Sequence, residues 1–214
     1  MANKYEILPV PTRILTVHDD IVAAIKEYGQ DKIGPQDVIC VAESVVAITQ
    51  GRAKRPEDFK PCFLAKTLSQ LFPSWGSIAG WNSMQSLMDV EGKYRVLGAV
   101  VCGFAAKCVG VSGVFYRMAG EQARLIDDVT GTMPPYDKHI VYGPSEPAQV
   151  AEAIVKATGC FGAAVADVND LKRACVLGVS RGVNAAEVEQ ILIDNPFGNG
   201  SQKTPIVIIK AYKK

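Results

Sequence analysis

The chain has 214 residues, of which 48% are hydrophobic and 21% charged, a composition typical of a globular protein with enough residues for a sizeable core. Its formal net charge of +1 excludes a strong basic field that would attract nucleic acid or an anionic membrane. No apolar segment follows the first lysine, Lys4, so we expect no signal peptide and a cytoplasmic protein.

Apolar segments in the first half of the chain are separated by turns and charged stretches. The elements predicted there are a strand over 7–15 interrupted by prolines, a helix from Asp19 or Asp20 to about Tyr28, a buried strand over 38–42, a helix over 63–72 and a short helix over 83–88. The segment 96–115 carries one charge, Lys107. Its apolar run before this lysine has about 11 residues, whereas a membrane-spanning helix needs about 20. We therefore expect a buried core segment and no membrane span, with a membrane-surface or partner-facing segment as the alternative.

The second half of the chain alternates more regularly between strand and helix patterns. The predicted elements are a helix over 119–127, a strand over 140–142, a helix from Ser145, a buried strand over 162–167, a strand over 175–179, a helix over 185–192 and a strand over 205–209. This interleaving predicts an α/β or α+β fold with a mixed sheet and flanking helices. Since no shift in composition marks a boundary, we expect one domain over 1–214.

The cysteines predict free thiols. None of the six belongs to a C-x-x-C pair, and the chain has two histidines, so a structural zinc site is disfavoured. Cys40, Cys102, Cys160 and Cys175 lie in apolar stretches of sequence. We expect buried, reduced thiols, as in proteins of a reducing compartment.

Two adjacent carboxylates, Asp127 and Asp128, close the helix predicted over 119–127, and Thr130 follows them. Their mutual repulsion and the negative end of the helix dipole both disfavour these charges. A divalent cation would offset the repulsion, because hard cations bind oxygen ligands. The pair is therefore a candidate metal site, with a solvated turn as the alternative.

A third carboxylate, Asp167, closes the buried strand predicted over 162–167, and Asn169 and Asp170 follow. Open α/β sheets expose their ligand sites where strands end. The alternative is a turn in which these Asp and Asn side chains bond to their own backbone. The residues alone do not decide between the two.

Another candidate group follows the strand predicted over 38–42. Glu43 and Ser44 come directly after it, and Arg52 follows Gly51. An arginine can hold a carboxylate or a phosphate through two parallel N–H bonds, although a surface charge is the alternative. Neither a P-loop nor a G-x-G-x-x-G spacing occurs, which disfavours a conventional nucleotide-binding fold. The polar stretch 195–205 is expected to be a plain connection.

Several segments, taken in this order and spacing, resemble the γ-glutamyl ligases of the deazaflavin coenzyme F-420. The matching segments are His18-Asp19-Asp20, Asp37–Ala42 with Gly51-Arg52, Ile126–Thr130, Gly143–Pro147 with Ala151, and Ala164–Val168. Together they extend over most of the chain. The resemblance implies the α/β (α+β) fold of that family, with a mixed sheet and flanking helices.

The resemblance also implies a reaction. Members of the family join L-glutamate, through a γ-glutamyl amide bond in the coenzyme F-420 pathway, to a deazaflavin precursor, with GTP supplying the energy and Mg²⁺ or Mn²⁺ assisting. By position, the implied metal ligands are Asp127, Asp128 and Asp167. The candidates for contacts with nucleotide or substrate are Glu43, Ser44, Arg52, Thr130, Asn169 and Asp170. The family forms homodimers, so a homodimer is expected here.

The sequence departs from the family pattern at positions that matter for nucleotide binding. Lysines of the family fall on Ser44 and Ile48 here, and a family threonine falls on Val168. Their absence favours an alternative function, a binding or regulatory protein with the ligase fold and no turnover. The retained carboxylates favour the enzyme, acting on a coenzyme F-420 precursor or a related carboxylate.

Overall fold

The computed structural model of this chain describes residues 5–74, 76–126, 134–198 and 202–213. Two compact units are present: a sheet unit formed by 1–52 and 144–214, and a helical unit formed by 53–143. Each has its own apolar core. The expectation of a single domain over 1–214 stays a prediction.

Both units contain strands and helices. The strands are β1 (Ile7–Val10), β2 (Val38–Ala42), β3 (Ala53–Lys54), β4 (Ile140–Val141), β5 (Gly162–Asn169), β6 (Arg173–Val179) and β7 (Ile206–Ile209). The helices are α1 (Ile21–Gly29), α2 (Glu43–Thr49), α3 (Phe63–Ser69), α4 (Trp81–Glu91), α5 (Lys93–Cys108), α6 (Val114–Met118), α7 (Gln122–Leu125), α8 (Pro147–Thr158) and α9 (Ala185–Leu192).

A five-stranded sheet in the order β1-β7-β2-β5-β6 forms the sheet unit. Strands β2 and β5 are parallel, and the other neighbours are antiparallel. The prediction of a mixed sheet with flanking helices is therefore confirmed. In the parallel pair Val38 lies opposite Gly162 and Ala42 opposite Ala166, so both strands run toward the same edge of the sheet, where β2 ends and β5 continues to Asn169.

Apolar side chains cover both faces of the sheet. Alternate residues such as Ile39 and Val165 pack with helices α1 and α8 on one face, and the residues between them, such as Cys40 and Ala164, pack with α9 on the other. Because side chains of a strand alternate between faces, a strand covered on both sides is apolar throughout. This explains the uninterrupted apolar sequence of β2.

Asp20 is the N-terminal cap of α1, since its Oδ1 accepts a hydrogen bond of 2.8 Å from the amide of Ala23. The helix buries Ile21, Ala24 and Ile25 against the sheet, as the apolar spacing predicts. The cap fixes the start of the helix one residue after Asp20, and leaves Asp19 for a different contact.

The helical unit contains helices α3 to α7 and the short β3–β4 ladder around a second core. Its longest helix, α5, contributes Val96, Ala99 and Val100 to that core, whereas Val101 and Phe104 are 60% and 68% exposed. The expectation that 96–115 is buried throughout is therefore wrong, because a helix at the edge of a core buries only one of its faces. None of the helices in the described residues is long and apolar enough to cross a membrane.

All six cysteines are free thiols, as predicted. Cys40 and Cys160 are buried, but Cys102 and Cys175 are exposed. The prediction of burial is wrong for these two, because Cys102 lies on the outer face of α5 and Cys175 lies on β6, an edge strand of the sheet.

Candidate functional site

The edge of the sheet at which β2 ends, beside β5, brings together two of the predicted site residues. Glu43 begins α2 directly after Ala42, and Asp167 follows Ala166, the last residue of β5 that pairs with β2. Neighbouring strands lie about 4.8 Å apart, so Glu43 and Asp167 occupy adjacent positions. This is the kind of edge at which α/β sheets expose ligand sites.

Asp167 lies on the sheet face that carries Ala163 and Val165, since side chains two residues apart share a face. The residue is exposed at its surface, yet the protein around its carboxyl removes enough water to raise its pKa. Among the described residues, no donor or cation compensates the carboxylate. A bound cation would favour the charged form and lower the pKa again.

Strand β5 continues past Asp167 to Asn169, whereas the sequence predicts its end at Asp167. The antiparallel partner β6 accounts for the extension, with Asp167 opposite Cys175 and Asn169 opposite Arg173. Asp167 therefore lies inside a strand and beyond the end of β2. The backbone of Asp167 pairs with β6, so its side chain is the part that is available for a ligand.

Asn169 is the last residue of β5, and Asp170 follows it in the turn to β6. The Oδ1 atom of Asn169 accepts a hydrogen bond of 3.0 Å from the amide of Leu171, the local turn contact weighed for this segment. The Oδ1 atom of Asp170 accepts a hydrogen bond of 2.7 Å from the side-chain amide of Asn195. Both side chains thus have structural contacts, and their contact with a ligand stays a prediction.

Glu43 and Ser44 lie in the first turn of α2, and Arg52 follows its C-terminal end. All three are half-buried. Gly51 has a φ of 72°, which turns the chain so that the Arg52 amide donates to the carbonyl of Ala47 over 2.9 Å. A seven-residue helix is about 10 Å long, so Arg52 lies at the far end of α2 from Glu43.

Asp127, Asp128 and Thr130 lie outside the described residues. Their predicted position in one cleft with Asp167 therefore stays a prediction. Within the described residues, no group of three His, Cys, Asp or Glu side chains is close enough to hold a metal ion. Of the three predicted ligands, Asp167 alone is described, and its uncompensated oxygen atoms fit a hard divalent cation.

The same edge of the sheet carries contacts that the sequence did not reveal. The amide of Thr12, which follows β1, donates to the carbonyl of Lys203 over 2.8 Å, and the amide of Ala42 donates to the carbonyl of Pro205 over 2.9 Å. The polar stretch 195–205, expected to be a plain connection, therefore joins the end of β1, the end of β2 and, through Asn195, the β5–β6 turn. In the sequence, the length and polarity of this stretch were the features that could have indicated such contacts.

Asp19, the neighbour of the cap residue Asp20, makes contacts of its own. It forms a two-pronged ion pair with Arg13, and its Oδ2 accepts hydrogen bonds from the amide of Thr16 over 2.7 Å and from its hydroxyl over 3.0 Å. The Arg13 guanidinium and the Thr16 donors hold the pKa of this carboxyl well below its usual range. These contacts order the loop that leads from β1 to α1.

The family model of F420-0:gamma-glutamyl ligase matches residues 9–159, which is most of the chain. The chain belongs to the F420-0:gamma-glutamyl ligase family. Its mixed sheet with flanking helices is consistent with a fold of that family, and membership supports a ligase acting on small molecules in coenzyme F-420 biosynthesis. No curated protein matches the sequence. The matched range includes Glu43, Ser44 and Arg52 but ends before Asp167, so the family match does not bear on that carboxylate.

Proposed function

We propose that this protein is a GTP- and divalent-metal-dependent ligase that joins L-glutamate to a coenzyme F-420 precursor or a related carboxylate through a γ-glutamyl amide bond. Asp167 is the observation that carries the proposal. It is an exposed residue whose carboxylate has a raised pKa and no partner among the described residues, next to Glu43 at the edge where β2 ends. Together with the family match, it favours a ligand-binding edge.

Amide formation from a carboxylate requires activation, because a carboxylate resists attack by an amine and has no good leaving group. In the proposed reaction the acceptor carboxylate takes the γ-phosphoryl group of GTP and GDP leaves. The amine of L-glutamate then attacks the acyl carbon, loses a proton and displaces phosphate. When bound, Mg²⁺ or Mn²⁺ would neutralise phosphate charge, and Asp127, Asp128 and Asp167 are the residues proposed to hold it.

The remaining predicted residues have roles that follow from their side-chain chemistry. Arg52 would hold a phosphate or a carboxylate through paired N–H donors. The hydroxyls of Ser44 and Thr130 and the amide of Asn169 would donate hydrogen bonds, whereas Glu43 and Asp170 would accept them. We also propose a homodimer, and light scattering coupled to size-exclusion chromatography measures the mass that decides this.

The substitution Asp167→Asn tests the proposal, since it keeps the shape of the side chain and removes its charge. We expect the affinity for Mn²⁺, measured by isothermal titration with GTP and with ATP present, to fall by about tenfold or more. Thermal stability in metal-free buffer should stay equal or rise, because a desolvated charge is removed. Asp194→Asn is the matched control, since Asp194 is largely exposed. Unchanged Mn²⁺ affinity with lower stability would identify Asp167 as a structural residue.

A binding or regulatory protein without turnover is the second candidate. Ile48, which stands where the family has a lysine, is buried and uncharged, so it supplies no cation for a nucleotide phosphate. Release of phosphate from GTP in the presence of L-glutamate and a deazaflavin acceptor separates the two functions. Binding of GTP without phosphate release would favour the regulatory protein.

A further inference from the structure

A concave site lies in the helical unit, and none of the described residues proposed for ligation lines it. It is a cavity of about 410 Å³, a volume typical of sites for small molecules. The buried residues Ile78 and Ala123 give it an apolar floor. Ser77 and Tyr116 add hydroxyl groups to its lining. This open cavity thus combines a small apolar floor with exposed polar side chains, and such polar groups orient a ligand.

Two arginines, Arg117 on α6 and Arg124 on α7, line this cavity as well. Both side chains are exposed, and within the described ranges neither guanidinium has a carboxylate at ion-pairing distance. Two like charges on one cavity repel each other. A bound anion would convert this repulsion into attraction, so the arrangement has a reason if the cavity receives an anionic ligand.

We propose that this cavity binds a small organic phosphate. A terminal phosphate carries up to two negative charges and three acceptor oxygens, which is enough for both guanidinium groups and a hydroxyl donor. A single carboxylate has two oxygens, and one arginine satisfies them in a two-pronged pair. The apolar floor and the Tyr116 ring would contact the organic part of the ligand. None of these residues belongs to the site proposed for ligation.

Isothermal titration with phenyl phosphate tests the proposal, with benzoate as the carboxylate counterpart. The intact chain should bind phenyl phosphate more tightly than benzoate. Arg117→Gln and Arg124→Gln should each weaken the binding of phenyl phosphate by about tenfold or more, as expected for the loss of a charge-assisted hydrogen-bond pair. Lys107→Gln removes one exposed charge of the same unit outside the cavity and should leave the affinity unchanged.

Circular dichroism and thermal melting show whether each variant is folded. If a glutamine variant unfolds, Arg117→Lys and Arg124→Lys replace it, since lysine keeps the charge but loses the fork and should give an intermediate affinity. Asp167→Asn should not alter the affinity for phenyl phosphate, which separates this cavity from the proposed metal site. The proposal is overturned if the intact chain does not bind phenyl phosphate at millimolar concentration, if benzoate binds as tightly, or if both arginine variants bind as the parent does.

Discussion

Asp19 and Asp167 show how the surroundings of an aspartate decide its ionisation. Hydrogen bonds from Arg13 and Thr16 lower the pKa of Asp19, whereas desolvation raises the pKa of Asp167, which has no described partner to offset it. The first arrangement stabilises the charged form without any ligand, whereas in the second a bound cation would lower the pKa again. The unsatisfied carboxylate is therefore the better candidate for function.

A third aspartate, Asp37, gives a prediction about stability and pH. Burial acts to raise its pKa, but hydrogen bonds from Lys210 over 2.5 Å, Ala211 over 2.9 Å and Gly34 over 2.7 Å lower it overall. Because the pKa is lower in the folded state, these contacts stabilise the protein above the pKa of the unfolded chain, about 4, and the contribution is lost as the pH falls further.

Asp37→Asn should therefore lower the free energy of unfolding by about 1–3 kcal/mol at pH 7. The difference from the parent should shrink as the pH falls below about 4, and urea denaturation at a series of pH values measures it. Asp31→Asn, at an exposed position, serves as the control and should have little effect. A difference that stays constant down to pH 2 would contradict the assignment.

The packing of α8 on β6 leads to a prediction about one glycine. A methyl group added at Gly178 would lie 2.4 Å from the backbone nitrogen of Ala148 and 2.5 Å from the carbonyl carbon of Pro147. Backbone atoms of a helix cannot yield as a flexible side chain does, so α8 would have to move away from the sheet. Gly178→Ala should destabilise the protein by about 1–3 kcal/mol or more, as measured by thermal or urea unfolding.

Gly98 is a suitable comparison, because it lies inside α5 and nothing lies within 4 Å of an added methyl group. Gly98→Ala should stabilise the protein by about 0.5–1 kcal/mol through helix propensity alone. The two variants should change the free energy of unfolding in opposite directions, which distinguishes the effect of close packing from that of backbone entropy. Equal effects would mean that α8 can shift without loss of contacts.

The elements that the sequence predicted well are those whose signals are local. Strand β2 and helix α9 have the predicted bounds, since an uninterrupted apolar run marks the first and Asn184 caps the second. The end of β5 was predicted two residues early, because its extension depends on pairing with β6. The outer face of α5 was missed for a similar reason, since burial depends on which neighbours pack against a helix.

The candidate site was predictable only in part. Each of Glu43 and Asp167 was predicted to follow or close a buried strand, but only the register of β2 with β5 shows that they lie at one edge. The hydrogen bonds through Thr12, Lys203, Pro205 and Asn195 join residues far apart in the chain, and spacing carries no signal for such contacts. The two arginines of the helical-unit cavity gave no motif either, because they lie on separate short helices.

The six thiols, distributed over both units, give a prediction about the molecule as a whole. Burial raises the pKa of the Cys40 and Cys160 thiols, whereas Cys102 and Cys108 are exposed. Since the thiolate is the reactive species, a thiol reagent at pH 8 should modify the two exposed thiols at least about a hundredfold faster than the two buried ones. Peptide mapping by mass spectrometry after timed quenching measures each rate, and equal rates in native and urea-unfolded protein would contradict the burial.

The order of strands in the sheet has a consequence for synthesis of the chain. Strand β7 lies between β1 and β2, although most of the sequence separates it from both. The sheet unit can complete its core only after residues 206–209 have left the ribosome, and a sheet with such distant partners folds slowly. Residues 53–143 of the helical unit are continuous in sequence, so they are fully synthesised before the last strand. A nascent chain of this protein therefore carries one complete unit while β2 still lacks a neighbour.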